Sequence, residues 1–180
     1  MIGKLDKVPL REIWRHEAYD FTSWLTENLD TLSEILGFEI LNPIREHGTE
    51  NFNVDIVAED DSGNMVVIEN QLEKSNHDHL GKIITYLSAV GANTAIWIVA
   101  EPRQEHIKAI AWLNESELAS FYLLKFEVVK IGDSRPAPLF TLIVGPSEEA
   151  RSAGETKKQY AEKNHERREF WAFLLEKAKT

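Results

Sequence analysis

Two acids, Asp55 and Glu69, stand inside β-branched runs where carboxylates are out of place. The runs are Phe52-Asn-Val-Asp-Ile-Val-Ala and Met65-Val-Val-Ile-Glu-Asn-Gln, joined by Glu-Asp-Asp-Ser-Gly-Asn. Two such runs around a Ser62-Gly63-Asn64 turn predict a β-hairpin. With the turn centred near Ser62, residues whose numbers sum to about 124 face each other. Asp55 then opposes Glu69, and Asn53 opposes Gln71. Alternation puts these four on one face and Val54, Ile56, Val66 and Ile68 on the other. Opposed carboxylates repel and weaken a sheet. A divalent cation held between hard oxygen donors, Mg²⁺ or Mn²⁺, relieves that repulsion. A hairpin with one wet face accounts for the same residues without a metal. Against this, Val67 shares the face of Glu69 and predicts apolar cover over the acids.

The elements that must carry this hairpin follow from periodicity. Residues 1–15 read as irregular or partly helical. Trp24, Leu25, Leu29, Leu32, Ile35 and Leu36 recur at three and four, which predicts one helix from Thr22 to Leu36, stopped by Gly37. Asp20 or Thr22 is positioned to cap it. Phe38 to Ile44 reads as a short strand, with Pro43 marking an edge or a bulge. His47 to Asn51 reads as a loop. Ser75-Asn-His-Asp has the form of a capping box, opening a helix with Leu80, Ile83, Ile84, Leu87 and Val90 on one face, closed by Gly91. Thr94 to Ala100 is apolar throughout, as a buried central strand requires. A helix from Glu105 to Leu113 and strands at Phe121–Ile131 and Leu139–Val144 complete an α/β layout, a mixed sheet flanked by helices. Beyond Pro146 the composition changes. Residues 147–155 read as a linker, and 156–180 as a charged helix ending in Phe170, Trp171, Phe173, Leu174 and Leu175. That apolar end needs a partner: the domain 1–146, a second copy as a homodimer, or a further domain of which it is the opening.

The 180 residues contain no cysteine, which excludes disulfides, thiolate metal sites and thiol nucleophiles. There is no signal-like N-terminus and no run long enough to span a bilayer, so the expectation is a soluble, cytoplasmic protein with no membrane partner. The formal net charge of −10 argues against a broad basic face for nucleic acid. A bound cation would cancel part of that charge at the site.

The order helix–strand–strand–strand–helix–strand, with an Asp on the second strand and Glu-x-Gln on the third, resembles the PD-(D/E)xK nuclease superfamily, whose fold is restriction-endonuclease-like. The likeness is greatest to an uncharacterised bacterial and archaeal branch. It is carried by Val54-Asp-Ile-Val-Ala, Val67-Ile-Glu-Asn-Gln-Leu-Glu and His77-Asp-His-Leu-Gly, and it extends over about residues 10–146. The resemblance implies a nucleic-acid-binding domain that hydrolyses phosphodiesters, with DNA favoured over RNA. It implies that Asp55 and Glu69 hold the metal, that Glu17 is an accessory acid and Glu46 a further one, and that Gln71 stands where the superfamily places its catalytic Lys.

Gln71 is where this chain departs from the pattern. An amide hydrogen-bonds a water but cannot offset charge as an ammonium does. Lys74 and Lys82 are the nearby cations. Alternation turns Lys74 off the Glu69–Gln71 face, and Lys82 reaches the acids only if its helix packs over the hairpin. His77 and His79 do not share a helical face and are poor joint zinc ligands. With Lys74 and Lys82 they are candidates for contacting phosphates. A catalytically inactive binding module of a defence or repair system, or a protein-interaction module, remains the alternative.

Overall fold

A computed structural model describes residues 2–49, 52–116 and 118–147. The expected linker beyond Ser147 and the aromatic helix at 156–180 lie outside the described residues. The elements are β1 (Leu5–Val8), α1 (Leu10–Ile13), a π-helical turn (Glu17–Phe21), α2 (Thr22–Glu27), α3 (Asp30–Leu36), β2 (Ile40–Thr49), β3 (Phe52–Asp60), β4 (Met65–Lys74), α4 (His77–Ala89), β5 (Thr94–Glu101), α5 (Gln104–Glu115), β6 (Ser120–Ile131) and β7 (Ala137–Val144). The core order is the expected αβββαβ, and the sheet is mixed. β2, β3 and β4 form an antiparallel meander, β4, β5 and β6 run parallel, and β7 is antiparallel to β6. β1 pairs with the distal residues of β6, from Val128 to Ile131.

The hairpin has the register its turn predicts: Ile56 opposes Ile68, Val57 opposes Val67 and Ala58 opposes Val66. Asp60 fixes the turn. Its Oδ1 accepts from the Ser62 and Asn64 amides at 3.0 and 2.8 Å, and Gly63 takes φ 77°. Short acidic side chains close turns in this way.

Two apolar layers sandwich the sheet. On one face Phe21, Leu25, Leu32, Ile56, Ile68 and Ile96 pack with the N-terminal helices. On the other, Val57, Val67, Trp97 and Leu123 pack with Ile83 and Tyr86 of α4 and Ile110 of α5. Val54 belongs to this second cluster, not to the face of Ile56 as alternation predicts. The neighbouring edge strand β2 is irregular at the same level. Glu46, between the pairs Arg45↔Ile56 and His47↔Val54, has φ 48° and kinks the strand alongside β3.

Other departures from the sequence reading have local causes. The single helix expected over Thr22–Leu36 is two, because Asn28 leaves helical geometry and its Nδ2 donates to the Trp24 carbonyl at 2.7 Å. Asn side chains compete with the backbone in this way. Neither Asp20 nor Thr22 caps α2, which continues directly from the π-helical turn. The loop expected from His47 is strand up to Thr49. The N-terminal segment includes β1. Pro43 does mark both an edge and a bulge: β2 is the terminal strand of the meander, and its register shifts between Leu41 and Ile44. No helix among the described residues is long and apolar enough to cross a membrane.

Gly37 ends α3 at φ 75°, a left-handed conformation that disfavours a Cβ. Gly81 sits inside α4 with open space around the position of a Cβ. Gly37→Ala is expected to destabilise the domain by about 1–2 kcal/mol. Gly81→Ala is expected to stabilise it by roughly 0.5–1 kcal/mol. Urea unfolding of the two variants checks the opposite signs.

Candidate functional site

The acids gather where the β3–β4 ladder stops. The paired residues run from Glu59↔Met65 to Ile56↔Ile68. Past Ile68, the backbone amides of Asn70 and Leu72 donate to side chains. Asp55 Oδ2 accepts from Asn70 at 2.8 Å, and Glu17 Oε2 accepts from Leu72. Two carboxylates thus take N–H groups that a partner strand would otherwise take, and charge-assisted bonds of this kind are the stronger class.

Glu17 is delivered by the π-helical turn, which is fastened from both ends. Phe21 is wholly buried among Trp14, Trp24 and Phe126, with ring centroids 4.8–5.8 Å apart. Thr22 donates to the Glu17 carbonyl at 3.2 Å and accepts from Asn70 Nδ2 at 3.0 Å. The same β4 residue therefore receives Asp55 on its backbone and Thr22 on its side chain. The Thr22–Asn70 contact was not foreseen from the sequence, since it joins residues 48 positions apart.

Glu69 lies between Asp55 and α4 and is only 3 % exposed. Its Oε2 has no hydrogen-bond partner. Its Oε1 faces Lys82 Nζ at 3.7 Å and His79 Nε2 at 3.8 Å. Helix α4 thus packs over the hairpin, which is the condition for Lys82 to reach the acids. Burial, then the charge of Asp55, pushes the Glu69 carboxyl up to about 8, against the pull of Lys82. Asp55 is raised by burial, partly offset by the Asn70 amide and Lys82. Glu17 is raised by burial, opposed by its bond to Leu72. Glu46, exposed on β2, adds a further upward push on Asp55. Tyr86 of α4 is raised by burial and then by Glu69 and Asp55.

Gln71 is 2 % exposed. Its Nε2 donates to the Lys74 carbonyl at 2.9 Å and its Oε1 has no partner. Buried acceptors are nearly always paired, so Glu69 Oε2 and Gln71 Oε1 both need a donor or a cation. Hard oxygens of this kind suit Mg²⁺ or Mn²⁺, which are often held by one or two carboxylates with water and substrate oxygens completing the sphere. The donor set fits such an ion. Among the described residues no group of three or more His, Asp or Glu forms a ready-made metal site.

The other candidates divide. His79 faces the acids, its pKa lowered by burial and Lys82. His77 turns away: its Nδ1 lies 2.8 Å from His106 Nε2, and His106 Nδ1 lies 2.7 Å from Ser75 Oγ. Lys74 pairs with Glu101 at 2.6 Å on the exposed surface, off the Glu69–Gln71 face. Ser75 does not cap α4. Asn76 does, through Oδ1 to the His79 amide at 2.9 Å. Ser75 is buried and also accepts from the Arg103 amide at 2.9 Å, joining the end of β4 to α5.

No family model and no curated protein matches the chain. Among solved structures it is similar to a repair endonuclease from Pyrococcus abyssi, with 24% identity and a TM-score of 0.45 over 58% of this chain and 45% of that one. It is also similar to the protein in an EndoMS–dsDNA2 complex, with 20% identity and a TM-score of 0.43 over 58% and 43%. A third is the SPO1766 protein of unknown function from Silicibacter pomeroyi, with 12% identity and a TM-score of 0.33 over 78% and 85%. The chain spans less than half the length of the first two.

A raised carboxyl makes a signed prediction for stability. The unfolded Glu69 titrates near 4.5 and the folded one near 8. Its contribution is therefore fully present below 4.5 and lost as pH rises through 8. In chelator-treated protein, Glu69→Gln is expected to melt higher than wild type at pH 8, by about 2–4 °C for each kcal/mol relieved. At pH 5 the gap should close. Thermal melts at both pH values check this, and an equal gap at both would rule out Glu69 as the titrating group.

Proposed function

We propose that the domain binds DNA and hydrolyses its phosphodiester bonds with a divalent cation, Mg²⁺ or Mn²⁺. The observation that carries this reading is the half-buried Asp55 beside the buried Glu69, whose Oε2 lacks any partner and whose Oε1 faces a lysine. Asp55 and Glu69 hold the ion, with the main-chain carbonyl of Gln71 as a further hard donor. When bound, the ion supplies Lewis-acid stabilisation of the phosphate and activation of a water. Gln71 would orient that water by accepting a hydrogen bond from it at the unpaired Oε1. Lys82 supplies the positive charge that Gln71 lacks and meets the negative charge developing on the phosphate. Glu17 is a positioning residue: it holds the Leu72 amide and so fixes the stretch of β4 that carries Glu69 and Gln71. His79 lines the same mouth, while Lys74 and His77 flank it where the nucleic-acid backbone would pass.

One observation favours a second reading, a binding module without chemistry. Gln71 is neutral and its amide nitrogen is committed to the Lys74 carbonyl. That reading predicts retention of DNA with no cleavage in any divalent metal. Steep loss of binding with salt would then report direct phosphate contacts.

Cleavage of plasmid and linear duplexes in Mg²⁺ and Mn²⁺ tests the first reading. Asp55→Asn and Glu69→Gln are each expected to lower the rate by at least about 100-fold, since even outer-shell changes at metal sites cost about 10–100-fold. Unchanged cleavage in Asp55→Asn would sink the assignment.

Lys82→Met is expected to lower kcat by about 10²–10³-fold. Lys82→Arg, which keeps the positive charge beside Glu69, should recover part of the loss with Mn²⁺ affinity nearly unchanged. Because the ion needs the ionised carboxylates, Mn²⁺ affinity should rise between pH 6 and pH 8 with release of protons. Calorimetry in buffers of different ionisation enthalpy reads both effects.

A further inference from the structure

A chain of side chains that the proposed chemistry does not use ties three elements together. Ser75 ends β4, His106 lies on α5 and His77 opens α4. Ser75 Oγ lies 2.7 Å from His106 Nδ1, and His106 Nε2 lies 2.8 Å from His77 Nδ1. Ser75 is wholly buried and His106 is 1 % exposed, whereas His77 is exposed. Ser75 Oγ also accepts the Arg103 amide at 2.9 Å. A hydroxyl has one hydrogen and two lone pairs, so Ser75 can still either donate to His106 or accept from it.

The proton count on this chain decides whether it holds. In the uncharged chain Ser75 donates to His106 Nδ1, and His106 Nε2–H donates to His77 Nδ1, so each contact has one donor and one acceptor. One added proton leaves both contacts standing: His106 Nδ1 gains a hydrogen and the Ser75 hydroxyl turns from donor to acceptor. The gap between the rings still holds a single hydrogen. A second added proton places a hydrogen on both facing nitrogens. Two N–H groups cannot meet at 2.8 Å, so the rings must part.

The surroundings do not hold a second charge in place. Lys74 and Glu101, at the ends of β4 and β5 beside Ser75, pair with each other at 2.6 Å. Arg103 faces Glu105 at 3.7 Å at the start of α5, and Asp78 follows His77 on the exposed side of α4. From β5 the uncharged Trp97 ring stands 5.4 Å from His106. Burial and then the charge of His77 hold the His106 ring below the ordinary histidine value, against the pull of Glu105.

We infer that His77 and His106 form a pH-operated latch between α4 and α5, closed while the pair carries at most one added proton and opened by the second. The element it releases is the first turn of α4, which carries His79 beside Glu69. The latch contributes fully above the ordinary histidine value of 6.5 and is lost as pH falls below it, because the open form binds a proton that the closed form excludes.

The test uses the full chain in chelator. Long-range ¹H–¹⁵N spectra of the histidine rings are expected to show, in alkaline solution, a bare His106 Nδ1 and a protonated Nε2. On acidification His77 and His106 should titrate in two steps as a coupled pair, not as independent rings. Amide hydrogen exchange reads the opening. Protection of the His79 and Leu80 amides, corrected for intrinsic rates, is expected to fall about tenfold per pH unit once the second proton binds, since one proton is linked to opening. In His77→Gln the side-chain oxygen accepts from a charged His106, so this fall should disappear. His79 is intact in that variant, so loosening that persisted there would assign the effect to His79 and overturn the inference. Independent single-step titration of the two rings, or wild-type protection that does not change in acid, would overturn it as well. The ring spectra and wild-type exchange need no substitution, so both stand even if His77→Gln does not fold.

Discussion

Two backbone amides on β4, those of Asn70 and Leu72, decide where the acids of this domain stand. Each is a donor that must be satisfied, because an unpaired buried N–H costs about as much as a lost hydrogen bond. Asp55 satisfies one from β3 and Glu17 the other from the π-helical turn. With both taken, the stretch from Glu69 to Leu72 is held by carboxylates where a sheet would hold it by carbonyls. The rest of the site follows from that substitution. Glu69 must lie between the acids and α4, and the helix brings Lys82 and His79 over it.

The arrangement sets two demands against each other. Packing requires the strand to be buried, and the second apolar cluster with Trp97, Ile83 and Tyr86 does that. Burial in turn penalises the charge of every carboxylate it covers, so Glu17, Asp55 and Glu69 are all raised, and Asp55 adds to the rise of both others. Lys82 relieves part of this from 3.7 Å, and protonation of Glu69 relieves the rest. A fold selected for stability alone would do better with apolar residues at these positions. The orphaned oxygens of Glu69 and Gln71 show the same conflict: the acceptors are built in and their donors are not.

What the sequence made legible was local and periodic. The two β-branched runs and the Ser-Gly-Asn turn set the hairpin register from Met65 to Ile68; the expected pairs Asp55–Glu69 and Asn53–Gln71 lie past the end of the ladder. The apolar run at Thr94–Ala100 gave the central strand. What stayed hidden depended on tertiary neighbours. Whether Lys82 meets the acids is decided by how α4 lies, which no spacing encodes. Ser75 reads as a cap because Ser-x-x-Asp is a capping pattern, but Asn76 beside it caps equally well and leaves Ser75 to join His106. The break at Asn28 was hidden for a similar reason, because a side chain competing for a carbonyl does not disturb the apolar period. Glu17 became readable only through a family likeness, since a π-helical turn has no sequence period of its own.

The irregular edge strand has a consequence for how the domain behaves among its own copies. β2 ends the meander and, with β7 at the other side, is one of the two edges among the described residues where a foreign strand would add. Within five positions it carries Asn42 at φ 51°, Pro43 and Glu46 at φ 48°. A proline offers no amide, and residues with positive φ turn their donors and acceptors out of line. The edge therefore presents no continuous template for intermolecular β-pairing. The same kinks that bend β2 alongside Asp55 also guard that side of the sheet against self-association and fibril growth.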